Sequence, residues 1–91
     1  MFRLFTTRHF DRQLAAFKHA HPELGRRLAD ALRQLESDPF QPRLHLHPLK
    51  GDLEGLHAVS VTHSYRITLN LNAVQKKLVL LDIGSHDEVY R

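Results

Sequence analysis

The sequence predicts an α+β fold: an N-terminal strand, an antiparallel helical hairpin, then a three-stranded antiparallel meander, with the helices packed on one face of a four-stranded sheet. Three observations lead there. Apolar residues recur twice at helical spacing in the first 40 residues, as Phe10, Leu14, Phe17 and then Leu24, Leu28, Leu32, Leu35. After Gly55 the period changes to two. The alternating runs are separated by connections of hairpin length.

Residues 1–6 alternate loosely, with Phe2 and Leu4 on one side, and form a first strand at the sheet edge or beside its centre. Thr7 can cap the next element, because its hydroxyl can accept an orphan N–H of a first helical turn. The first helix spans about residues 8–20. Pro22 ends it and suits the first turn of a second helix, where its missing N–H costs nothing. Asp38-Pro39 stops that helix. Two helices joined by so few residues lie antiparallel, and their apolar faces need a surface to cover. Residues 40–54, with Pro42, Pro48 and Gly51, form a connecting segment. Strands follow at 56–62, 65–71 and 78–83, with turns at His63-Ser64 and at 72–76. The last run is short and apolar, reads as a buried strand, and breaks at Gly84. In the middle pair, Val59, Val61, Ile67, Leu69 and Leu71 face the helices. Ala58, Ser60, Arg66, Thr68 and Asn70 line the opposite, open face.

A chain of 91 residues forms one domain, residues 1–91, and buries roughly 60% of the surface its unfolded form exposes. No apolar run approaches the ~20 residues of a membrane span, and the first residues lack the features of a signal peptide. With no cysteine, disulfide and thiolate chemistry are excluded. A cytoplasmic location is expected. Thirteen Lys and Arg against ten Asp and Glu give a net charge of +3, which favours an anionic partner.

Three residues stand out for chemistry. Arg66 lies mid-strand on the face away from the helices; it is either a solvated strand residue or a guanidinium held rigidly for a phosphate. His86 follows a core strand and is either an ordinary loop residue or a general acid or base, since histidine titrates near neutral pH. His47 lies in the loop entering the sheet. His45-Leu46-His47 would aim two imidazoles the same way in an extended chain, yet that pair alone supplies too few ligands for a structural zinc, and no cofactor is expected. Asp87 and Glu88 are adjacent and point apart in an extended chain, so they read as solvated, or as acceptors orienting a Lys or Arg. Arg26, Arg27 and Arg33 read as the outer face of the second helix, a solvated surface or a contact for RNA.

Taken jointly, His47-Pro48-Leu49-Lys50-Gly51, then Leu53-Glu54-Gly55-Leu56, Tyr65-Arg66-Ile67, and Leu81-Asp82-Ile83-Gly84-Ser85-His86 through Tyr90 resemble the RelE/ParE toxin superfamily. The likeness is greatest to the RelE, YoeB and YafQ-type toxins of type II toxin–antitoxin modules. It covers nearly the whole chain in element order; the sharp motifs lie between residues 47 and 90. The family fold is a helical hairpin against a small antiparallel sheet.

The resemblance implies a messenger-RNA endoribonuclease that works in the ribosome and needs no metal. In such enzymes the ribose 2′-hydroxyl attacks its own phosphate, giving a 2′,3′-cyclic phosphate and a 5′-hydroxyl. By resemblance His47 is the base, Arg66 stabilises the phosphate, and His86 is the acid. Lys50 adds phosphate attraction, and Tyr90 stacks on a base or shapes the site. Where the YafQ-type pattern carries a further histidine and an aspartate, this sequence has Ser60 and Ser64, which are assigned to the substrate. His63 adjoins Ser64, but strand alternation points it elsewhere. The implied partners are a cognate antitoxin, in a hetero-oligomer, with the ribosome and messenger RNA. The alternatives are a ParE-like toxin that binds DNA gyrase and a non-catalytic member that only binds antitoxin.

Overall fold

Apolar spacing of four and three residues, at Phe10, Leu14 and Phe17, folds the first long segment into a helix that packs on a sheet. A computed structural model describes residues 1–89. The elements run β1 (Arg3–Thr6), α1 (Arg8–Ala20), a 3-10 turn, α2 (Gly25–Ser37), a 3-10 turn, β2 (His47–Pro48), a 3-10 turn, β3 (His57–Ser60), β4 (Tyr65–Asn72), β5 (Lys77–Ser85) and α3 (His86–Val89). The sheet order is β1-β5-β4-β3-β2. The pairs β2–β3, β3–β4 and β4–β5 are antiparallel, whereas β1 runs parallel to β5.

Thr7 caps α1 as its position suggests: its Oγ1 accepts the Phe10 N–H at 3.0 Å. Phe10 and Phe17 are buried, and α1 packs on β5. Pro22–Leu24 forms a 3-10 turn, so α2 begins at Gly25, three residues later than the proline suggests. Leu28, Ala31 and Leu35 of α2 join Val59, Ile67, Leu69, Leu78, Leu80 and Ile83 in one core. β1 is an edge strand, and its N-terminal side is held where the Phe2 N–H donates to the Glu36 carbonyl at 2.8 Å.

Four differences from the sequence reading have physical causes. A fifth strand, only two residues long, pairs His47 with Ala58 and Pro48 with His57 at the far edge. An edge is where a strand tolerates proline, which cannot donate to a ladder. Its brevity and its proline hide it from any alternation test. The meander strand β3 ends at Ser60, so residues 61–64 form a bend rather than more strand. The apolar run of β5 contains a bulge. Thr68 pairs with Asp82 but Leu69 pairs with Leu80, which leaves Leu81 unpaired. The bulge puts Leu78, Leu80 and Ile83 on the core face together, which plain alternation cannot do. The Asp82 carboxylate accepts the Ile83 N–H at 2.8 Å, replacing a ladder bond where pairing is disturbed. Finally, β5 passes through Gly84, which pairs with Arg66, and ends at Ser85.

The face away from the helices is less open than alternation suggests. Ser60 and Arg66 are half-buried and Asn70 is exposed, but Ala58 and Thr68 are buried. The Thr68 hydroxyl finds no hydrogen-bond partner among the described residues. Its desolvation is uncompensated, and Thr68→Val keeps the shape while removing the hydroxyl. This variant should unfold at higher urea concentration, by about 1 kcal/mol. Leu35→Ala should act the opposite way. It deletes a side chain with 0% exposure, and a loss of about 2–5 kcal/mol is expected in the same measurement.

Candidate functional site

The pleat of β4 sets the site. Ile67 and Leu69 are sealed in the core, and Tyr65 packs on its edge. The Tyr65 ring meets Phe17 edge-on at 5.1 Å and His21 at 4.7 Å, so the residue before Arg66 is clamped to α1. Arg66 must then project on the other side of the sheet. Its Nη1 donates to the carbonyls of Thr62, at 3.3 Å, and His63, at 3.0 Å. The guanidinium thereby ties down the bend that follows β3, and its remaining donors can take an anion.

A cavity of about 420 Å³ opens beside it. Arg27 of α2, Arg43 of the 3-10 turn Pro42–Leu44, Arg66 of β4, and His45, His47 and His63 from loops and the sheet edge all line it. Ser60, Val61 and Thr62 complete the wall. Among the described residues, no carboxylate lines it. A smaller cavity of about 240 Å³ shares Arg27 and Arg43, and its acidic residue, Asp30, is paired with Arg33. Three guanidiniums in one concavity, with no counter-charge from the described wall, make a strongly anion-attracting site.

The loop conformation decides what His47 can do. His45 caps the 3-10 turn in the left-handed region, at φ 51° and ψ 43°. That costs a residue with a Cβ about 1–2 kcal/mol. It lets the His45 carbonyl meet His47 Nδ1 at 2.7 Å. A carbonyl only accepts, so Nδ1 carries the hydrogen. In the neutral ring the lone pair is then on Nε2, the arrangement a general base requires.

The structure brings His47, Ser60 and Arg66 together at this cavity. His86 is not among its lining residues: it is exposed, at the start of α3, with Nδ1 3.8 Å from Asp87 Oδ1. Lys50 and Ser64 are exposed on neighbouring loops, and the Ser64 N–H donates to Thr62 Oγ1. Tyr90 lies outside the described residues. His63 lines the cavity, contrary to the expectation from alternation, because the strand has ended by Ser60. Arg27 and Arg43 had read as no more than a solvated or RNA-facing helix surface and part of a connecting segment. Their only sequence signal is positive charge near a histidine-rich loop. Among the described residues, no three His, Cys, Asp or Glu side chains are grouped to hold a metal ion.

No protein-family model matches the sequence, and no curated protein does. Solved structures do match. YafQ from E. coli strain BL21(DE3) superposes with a TM-score of 0.81, over 100% of both chains, at 15% identity. YafQ in the E. coli DinJ–YafQ complex gives a TM-score of 0.78, over 100% of both chains, at 16% identity. A YoeB/ParE toxin from Agrobacterium tumefaciens gives 0.75, over 92% of this chain and 98% of its own, at 19% identity. At these identities the likeness is one of fold. Two helices on a five-stranded mixed sheet, in this order, are the RelE-like fold of those toxins.

Proposed function

We propose that this chain is the toxin of a toxin–antitoxin pair and cleaves messenger RNA on the ribosome without a metal ion. The observation that carries this is the cavity, about 420 Å³, lined by three arginines and three histidines and, among the described residues, by no acid. Such a lining suits a phosphodiester, whose charge rises as the 2′-oxygen attacks. His47 Nε2 takes the proton of the 2′-hydroxyl. Arg66 holds the non-bridging oxygens, with Ser60 as a further donor on the same wall. The 2′-oxygen–phosphorus bond forms, the bond to the 5′-oxygen breaks, and that oxygen takes a proton from a donor that the resemblance assigns to His86. Lys50, Ser64 and Tyr90 are assigned to the flanking RNA. The likeness to YafQ in its complex with DinJ supports a protein antitoxin as partner, and an acidic segment would complement this cavity. No described helix is long and apolar enough to cross a membrane, and the cytoplasm, where the ribosomes are, is the proposed location.

Inducing the chain without antitoxin should arrest growth and produce new 5′ ends within coding sequences, read by primer extension. Arrest with no new ends would sink the ribonuclease reading, and inhibition of supercoiling by purified protein would then point to gyrase. Arg66→Ala should abolish the new ends while leaving the fold intact by circular dichroism. With histidines as base and acid, the cleavage rate should be bell-shaped around neutral pH. A monotonic rise from pH 5 to 9 would remove one of them. Arg27→Ala with Arg43→Ala should weaken single-stranded RNA binding. The plot of log affinity against log salt should flatten by about 0.7 for each phosphate no longer neutralised.

A further inference from the structure

A second surface lies on the same sheet face as Arg66, at the end of the sheet nearest the hairpin between β4 and β5. Leu4, Leu71 and Leu78 pack toward the core. Alternation therefore turns their neighbours Arg3, Phe5, Asn70, Asn72, Lys77 and Val79 to the other face. The register sets these six in two rows across three strands: Arg3, Lys77 and Asn72, then Phe5, Val79 and Asn70. Phe5 is 41% exposed. Met1 at the first position, Val74 in the hairpin turn and Phe40, edge-on to Phe2, are also exposed. Phe5 differs from them in having two cations over its ring. The Arg3 guanidinium carbon is 5.6 Å from the ring centre and Lys77 Nζ is 5.3 Å from it. Among the described residues no ion pair takes up either cation, and none of the six residues is acidic. A ring fixed on a strand, with cations beside it, offers a π-face to a base and charge to the phosphates next to that base. An unpaired nucleotide matches both at once, whereas an acidic side chain matches only the cations.

We propose that this surface binds single-stranded RNA, stacking one unpaired base on Phe5 and holding the adjoining phosphates with Arg3 and Lys77. Its residues are separate from those of the cavity at Arg66, but the two share a sheet face. Asn70 stands four residues along β4 from Arg66, and Phe5 lies two strands across from Asn70. Strand rise and strand spacing make the separation about 17 Å. With the ribonuclease reading, the bound strand is the message itself, and Phe5 grips it a few nucleotides from the cleaved bond. The contact is blind to sequence, because every base has a π-face. It does discriminate by structure: in a duplex the bases are already stacked on one another and cannot reach the ring.

The chain has no tryptophan, so Phe5→Trp puts a lone fluorescent reporter at the centre of this surface while keeping an aromatic ring there. The probe is a short single-stranded RNA, methylated at its 2′-hydroxyls so that it is not cleaved. Its addition should quench the fluorescence as a base stacks, and the quench should saturate together with the anisotropy of the labelled strand. By anisotropy, Phe5→Ala should weaken binding about 5- to 150-fold, the loss of one stacked base. Phe5→Tyr should bind as wild type does, and Phe5→Leu, apolar but without a π-face, should not. Arg3→Gln with Lys77→Gln should flatten the plot of log affinity against log salt by about 0.7 for each phosphate no longer neutralised. A fully paired duplex should bind Phe5→Ala and wild type alike. Binding that saturates without a quench, that is unchanged in Phe5→Ala, or that Phe5→Leu retains overturns the proposal. So does a loss of affinity confined to an acidic peptide, which would make this a protein-docking surface. Each of those results leaves the ribonuclease reading standing, because new 5′ ends report on the cavity. Phe5-dependent binding with no new 5′ ends in cells overturns that reading alone. Phe5 is exposed, so thermal melting of Phe5→Ala should match wild type.

Discussion

The alternation of β4 is the constraint on which the site depends. Burying Ile67 and Leu69 completely leaves no choice about Arg66: a one-residue slip would put a guanidinium among the core side chains. Tyr65, clamped between Phe17 and His21, adds a second lock at the start of the strand. A cation mounted on a strand this firmly held loses little freedom when it binds an anion. The cavity wall at Arg66 therefore draws its rigidity from the hydrophobic core.

Much of the rest of the cavity is built from irregular chain, and there the backbone itself orients the side chains. The left-handed His45 places a carbonyl against His47 Nδ1 and so selects the tautomer with its lone pair on Nε2. The bend after β3 brings His63 to the wall, held by Arg66 through two carbonyls. Loops on a rigid scaffold commonly carry the functional residues of a fold. Here α2 and β4 contribute two of the cations, and the edge strand β2 and the loops contribute the imidazoles.

The bulge in β5 plays a supporting part. A strand with strict alternation could not send Leu78, Leu80 and Ile83 to one face. The extra residue, Leu81, makes this possible. It also explains why four apolar residues occur in a row in a strand whose outer face is only partly covered: Val79 and Leu81 are half-buried, not core.

The sequence by itself determined the helical hairpin, the meander, the faces of β4 and the basic character of the chain. Each is a local property: a spacing, a turn, or a sum of charges. It also singled out His47 and Arg66, and the structure places them at one cavity. Only the tertiary structure decided that Arg27, Arg43 and His63 would join them. Periodicity states which face of its own element a residue occupies, and it stops where the element stops. Arg27 on a helix, Arg43 on a 3-10 turn and His63 on a bend meet because packing brings the ends of three elements together, and no spacing along the chain encodes that meeting.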